Sequence, residues 1–349
     1  MIRITTNGTL INYKSSLSRS SYNLSKAREK VLTQRNFNTY AEDPAAATQA
    51  FKLRRSFSLT NDQLTNTKTL IKKYQAAYSA LSTVKSDLAE QSSKVSTLSA
   101  INAATGSGRQ PLAEVLQSNA ESIVQTMNSQ YGTSFIFAGN DALNGAPFAL
   151  ETNSDGTKYL TYRGIAVDSA EGSDDFTALE TMNNETSYVD VGSGLTEVNG
   201  SLVSSSAFNS AISGIEYLGY GVDDDGDPKN VVSIINQLSE IFSRCDTDSG
   251  DYASDEDAED ADLLAGKLDD ALNTITNKWT ELSGESSYLK SNETRLTSTS
   301  DDLNSQILDV EQADFADAFT DFSWAQYCYN AALKVGNSIL SQSLIDYMS

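Results

Sequence analysis

Large aliphatic residues recur every seven positions near the end of the chain, at Leu268, Ile275, Leu282, Leu289, Leu296, Leu303 and Val310, with no proline between them. A stripe of that period stays on one face only when a helix packs lengthwise on partners, so the spacing predicts a long helix in a bundle or coiled coil. The beginning of the chain carries the same period. Leu10, Leu17, Leu24 and Val31 form one row and Phe57, Leu64, Ile71 and Tyr78 another, with Tyr74, Leu81, Leu88 and Val95 offset from the latter by three. Both ends are therefore expected to be helical.

The four prolines divide the chain in the same way. Proline is tolerated at the first helical position but removes a hydrogen bond inside a helix. Asp43-Pro44 reads as an N-cap followed by the first helical residue, opening a run to about Ala104 without glycine or proline. Pro111 is expected to open a shorter helix carrying Leu112, Leu116, Ile123, Val124 and Met127, and Asp227-Pro228 another carrying Val231, Ile235, Leu238 and Phe242. Phe135-Ile136-Phe137, followed by Ala138-Gly139-Asn140, reads as a strand entering a hairpin or loop. Alternation at Tyr159-Leu160-Thr161-Tyr162 and Tyr188-Val189-Asp190-Val191 predicts short strands, with a helix near Phe208, Ile212 and Ile215.

Charge sharpens this division. Residues 148–262 hold 25 Asp or Glu against four Lys or Arg, a net of −21 out of −22 for the 349 residues. The expected fold is mainly α: a long antiparallel helical rod with a terminal coiled-coil helix pair, plus an inserted α+β outer domain. The divisions fall at 1–42 with 312–349 for the terminal pair, 43–147 with 263–311 for the rod, and 148–262 for the acidic insert. A solvated outer face accounts for the acid. The arms differ in sign, residues 1–75 having 13 basic and four acidic residues and residues 285–349 three basic and ten acidic. Side by side, they would disfavour pairing of like arms. The basic residues of the first arm are spread out and lack interleaved aromatics, so no nucleic-acid partner is expected.

Chemistry is bounded by what is missing. The sequence has no histidine, which removes Ser-His-Asp and Cys-His nucleophile activation and HExxH zinc hydrolysis. No catalytic residue, cofactor or metal is expected. Asp223-Asp224-Asp225-Gly226-Asp227 is the most suggestive cation loop. Setting Gly226 at the sixth position of an EF-hand, however, puts Gly221 first and Val232 twelfth, where a glutamate is required. An acidic turn capping the following helix is the expected role, and Asp248–Asp262 reads as a mobile solvated loop. Cys245 and Cys328 cannot build a disulfide framework and are expected to be reduced. No run approaches a membrane span, and Met1 to Ser20 lacks the apolar core of a cleaved signal, so neither membrane insertion nor a cleaved leader is expected.

The last forty residues are amphipathic yet ill suited to standing alone. Phe315, Phe319 and Phe322 stack along one face, followed by Trp324, Tyr327 and Tyr329, then Ala332, Val335 and Ile339, and finally Leu344 and Ile345. Paired only with residues 1–40, this arm would bury too little apolar surface to offset the ordering entropy of about 80 residues. Copies stacked about an axis would cover each other's stripes. Leu10, Leu17, Leu24, Val31, Phe315, Phe319, Phe322, Val335, Ile339 and Leu344 are the expected assembly contacts.

Several short motifs carry a family resemblance: Met1-Ile2-Arg3-Ile4 before the Leu10 heptads, Glu42-Asp43-Pro44-Ala45-Ala46-Ala47, Phe135-Ile136-Phe137-Ala138-Gly139 with Pro147-Phe148, Tyr162-Arg163-Gly164, and the closing Ser343-Leu344-Ile345-Asp346-Tyr347. With these the chain resembles the bacterial flagellin-class axial proteins, and among them the hook-associated protein 3 family of hook-filament junction proteins. The resemblance implies a structural role without catalysis and a radial layout with the acidic insert outward. It implies export through the flagellar type III system to the extracellular flagellum, with an export chaperone on the C-terminal arm. Its implied neighbours are hook-associated protein 1, flagellin and copies of the chain. The length of the insert and the two cysteines depart from the family pattern. The alternatives are a major filament flagellin, and a surface-displayed module binding glycan or calcium through the insert.

Overall fold

The computed structural model describes residues 6–100, 106–153, 157–203 and 206–348, without the side chains of residues 6, 7, 106, 201 and 339–348. The Met1-Ile2-Arg3-Ile4 motif lies outside the described residues. The fold is mainly α with small sheets, and it forms two compact units: residues 1–61 with 297–349, and residues 62–296. The expected divisions after 42 and 311 fall inside the first unit, and those after 147 and 262 inside the second.

The second unit is organised by two long helices, α2 (Pro44–Ser99) and α7 (Asp255–Glu311), each of which also contributes an end to the first unit. The α2 start is the expected one. Asp43 Oδ1 accepts from the amides of Ala45 and Ala46 at 3.1 and 3.0 Å, with Pro44 in the first helical position, where its missing N–H costs nothing. The heptad stripe of α7 faces inward: Leu268, Ile275, Leu282, Leu289 and Leu296 are buried. On α2 the buried row is Tyr74, Leu81, Leu88 and Val95. The two helices run antiparallel, because Thr67 meets Asn292, Tyr78 stacks on Trp279 with ring centroids 4.7 Å apart, and Ser92 donates to Asp269.

Between them lie α3 (Arg109–Met127), the hairpin β1 (Gln130–Tyr131) and β2 (Ser134–Phe135), and the antiparallel sheet of β3 (Phe148–Thr152), β4 (Lys158–Tyr162) and β5 (Ile165–Ala166). There follow α4 (Asp174–Asn183), β6 (Tyr188–Val189), β7 (Glu197–Val198), β8 (Ser201–Leu202), β9 (Phe208–Asn209), α5 (Ile215–Leu218) and α6 (Val231–Ser243). The strand pairs β6 with β9 and β7 with β8 are antiparallel. Helix α6 is strongly amphipathic, burying Val231, Ile234, Ile235, Leu238, Ile241 and Phe242 while Gln237 and Ser243 face outward. It is sandwiched between α3 and β4, which joins the acidic segment to the same core as the long helices.

Four local expectations change. Only Phe135 of the predicted strand joins the hairpin; Ile136 and Phe137 enter the core outside any strand, and Ala138 makes an isolated antiparallel bridge with Ser213. The helix expected near Phe208 shrinks to the single turn α5, bounded by Gly214 and by Gly219 with φ 84°. The cap of α6 is Asn230, whose side-chain oxygen accepts from the Val232 and Ser233 amides at 2.9 and 3.4 Å. Asp227, expected to cap that helix, instead joins Asp223 in holding the Lys267 ammonium, the Asp223 contact being 2.5 Å. Asp255, Glu256 and Asp257, expected in a loop, form the first turn of α7, where the helix dipole favours negative charge.

Buried Arg109 closes the unit beyond α2. Its guanidinium donates to the carbonyls of Leu98, Ala100 and Gly250 at 2.7, 2.7 and 2.6 Å, and it lies over the Tyr252 ring. Among the described residues no helix is long and apolar enough to cross a membrane.

Candidate assembly interface

The first unit is built on α1 (Thr6–Thr33) packed against α8 (Phe315–Met348). In α1 the half-buried positions are Tyr13, Leu17, Ser20, Leu24, Ala27 and Val31, alternating steps of four and three. The matching covered row of α8 is Ala318, Phe322, Ala325, Tyr329, Ala332 and Gly336, with the same spacing. This is a two-helix seam with heptad geometry. It is antiparallel: Tyr13 lies at Gly336, where an added Cβ would collide with its ring, and Lys30 lies 3.8 Å from Asp321. Small residues on α8 bring the helices close but bury little apolar surface.

The connector between α1 and α2 is tied to the link between α7 and α8. Ala313 N–H donates to the Gln34 carbonyl at 2.9 Å and Asn36 N–H to the Glu311 carbonyl at 2.8 Å. Glu311 accepts from Arg54 Nε and Nη2 at 2.6 and 2.5 Å and from Arg35 at 3.0 Å. Those bonds, Arg54 foremost, hold its carboxyl below the usual glutamate range. Asp314 caps α8, accepting from the amides of Ala316 and Asp317 at 2.8 and 3.0 Å. These bonds tie the two connecting segments together and cap the first turn of α8.

The ten expected contact residues separate into two groups. Leu17, Leu24, Val31 and Phe322 lie in the seam within the chain. Leu10, Phe315, Phe319 and Val335 stay exposed, the two phenylalanines stacking with centroids 6.2 Å apart. Ile339 and Leu344 fall in the part of α8 whose side chains are not described. At about 100° per residue, Phe315 and Phe319 occupy one flank of the α8 seam, while Val335 occupies the other with Trp324. Trp324 and Tyr327, which stack on each other at 5.9 Å, are 68% and 67% exposed, as are Ile11, Tyr22 and Leu32 at 62%, 65% and 70%. Trp324 and Tyr327 belong to the apolar run read from the sequence but are not among the expected contacts, and Ile11, Tyr22 and Leu32 lie off the Leu10 row, outside the sequence reading altogether. The signal for them is a large apolar residue off the seam of a helix whose seam is already filled.

A two-helix unit with aromatic side chains on both flanks has the surface of a subunit rather than of a finished core, since exposed apolar patches of this kind mark interaction sites. Residues 265–348 match the family model of the bacterial flagellin C-terminal helical region. No curated protein matches the chain in sequence.

Among solved structures the fold is shared with a putative flagellar hook-associated protein from Vibrio parahaemolyticus, at 18% identity and a TM-score of 0.57, over 78% of this chain and 100% of that one. Flagellar hook-associated protein 3 from Legionella pneumophila is also similar, at 10% identity and a TM-score of 0.52, over 74% of this chain and 98% of that one. At these identities the likeness is one of fold. The chain thus has a hook-associated protein fold ending in a flagellin-type C-terminal region.

Proposed function

We propose that this protein is a structural subunit of the bacterial flagellum, placed at the junction between hook and filament and assembling as a layer through α1 and α8. One observation carries the reading: the terminal helix pair fills its own seam and still exposes large apolar residues on both flanks. A pair in that state needs a neighbour on each side, which is the arrangement of copies stacked around a tube. Neighbouring axial proteins, such as hook-associated protein 1 and flagellin, would cover the faces above and below the layer. Before assembly the same surface needs protection, and an export chaperone on the C-terminal arm would supply it. The extracellular flagellum is then the site of action, reached by the flagellar export system.

Deletion of the gene tests the placement. Cells without the protein should make hooks and release flagellin monomers into the medium; normal filaments in that strain would overturn the junction role. The flagellin-type C-terminal region supports a second reading, a major filament subunit. In that case the deletion strain would have bare hooks and no flagellin in the medium.

A further inference from the structure

A cavity of about 450 Å³ in the second unit is lined by Lys73 of α2, by Tyr131, Thr133 and Ser134 of the β1–β2 hairpin, and by Asn140 and Ser210. That size suits a small molecule. The Lys73 ammonium is mostly removed from water, and its hydrogen bond goes to the Ser210 carbonyl at 2.8 Å. An ammonium carries three donors, so two are left for another acceptor. Burial lowers the Lys73 pKa, and no carboxylate among the described residues acts to restore it. Glu185, beside Asn140, is engaged by Arg163 at 2.8 Å. The side-chain hydroxyls of Tyr131, Thr133 and Ser134 make no hydrogen bond within the described residues, so the wall beside the ammonium is a row of unused hydroxyl groups.

A desolvated cation without an anion is costly, and it becomes favourable when a carboxylate enters. One ammonium without arginine matches a single negative charge better than a phosphate dianion, and the hydroxyl row matches a partner that is itself hydroxylated. We propose that this cavity binds a polyhydroxylated carboxylate, the chemistry of an acidic sugar, with the carboxylate on Lys73 and the sugar hydroxyls among Tyr131, Thr133 and Ser134. Every lining residue belongs to the second unit, so the proposal stands or falls independently of the assembly role.

Titration of the full-length protein with glucuronate, followed by amide NMR, tests this. Saturable shifts are expected at Tyr131 to Ser134 and at Ser210, with glucose and acetate weaker by at least about tenfold. Lys73→Met should weaken glucuronate by a similar factor while leaving the circular dichroism unchanged. Should that variant fail to fold, Thr133→Val on the exposed turn should still weaken binding severalfold. Response to methyl glucuronide as well as to the free acid would mark a glycan-linked sugar as the ligand, and response to the free acid alone a soluble one. Absence of saturable shifts, acetate equal to glucuronate, or undiminished binding in a folded Lys73→Met would overturn the proposal. So would cavity shifts that occur only when copies assemble, which would assign Lys73 to a side-chain carboxylate of a neighbouring subunit.

Discussion

Replacement of Trp324 by alanine separates folding from assembly more cleanly than any other single change. A tryptophan presents up to about 250 Å², and with 68% of Trp324 exposed about 170 Å² remains available to a neighbour. Complete coverage at about 25 cal/mol per Å² would contribute about 4 kcal/mol. Partial coverage and the methyl left by alanine reduce this to about 2 kcal/mol, or roughly a 30-fold rise in the concentration needed to assemble. The monomer should lose less than about 1 kcal/mol, because the contact removed is chiefly the stack on Tyr327. Cosedimentation with hooks isolated from the deletion strain gives the first quantity, and thermal unfolding by circular dichroism the second. An unchanged binding curve would refute the reasoning, and so would a loss of monomer stability as large as the loss of assembly.

Two further substitutions follow. Phe319→Asp, on the exposed flank, should abolish assembly with the far-UV helix signal retained, whereas Leu17→Asp, in the seam, should lose assembly together with the helix signal of the terminal pair; equal behaviour of the two variants would contradict the division of the surface. Asp168 donates nothing at neutral pH and accepts from Ser233 Oγ at 2.6 Å, while its other oxygen is buried without a partner. Burial pushes its pKa from 3.8 up to about 6. The folded state therefore holds this proton more tightly than the unfolded chain, so its contribution is most favourable below pH 4 and falls as pH rises from about 4 to about 6, by up to about 3 kcal/mol. Asp168→Asn should remove that slope and raise stability at pH 7, measured as the difference between urea midpoints of the two proteins across this range; parallel pH profiles would refute it.

Much of the architecture was legible in the residues. The α7 stripe from Leu268 to Leu296 is buried as its period required, and the Asp43-Pro44 start of α2 rests on the strictest local chemistry in the chain. The interface was only half legible. A heptad search favours large aliphatics and aromatics, but the α8 seam is lined by Ala318, Ala325, Ala332 and Gly336, whose small size is what admits Tyr13 and its neighbours. With four of the six seam positions small, Phe322 and Tyr329 are the aromatics inside it, and Phe315, Phe319 and Trp324 fall on the flanks. At the start of α6, Asp227 and Asn230 are both competent caps in sequence, and only the placement of Lys267 from α7 shows that Asp227 is engaged elsewhere. Between β5 and α5, alternation locates β6 at Tyr188-Val189, but its partner β9 at Phe208-Asn209 lies about twenty residues on, and that pairing is not encoded locally.

The central claim is that the flanks of the terminal helix pair are covered by neighbouring subunits, and oxidative footprinting read by mass spectrometry tests it directly. In the free protein Phe315, Phe319, Trp324 and Tyr327 should label freely, as their exposure requires. In protein incorporated on hooks the same four residues should be protected by about tenfold or more, while Leu143, on an exposed loop of the second unit, labels equally in both states. Equal labelling of the four residues in free and incorporated protein would contradict the account.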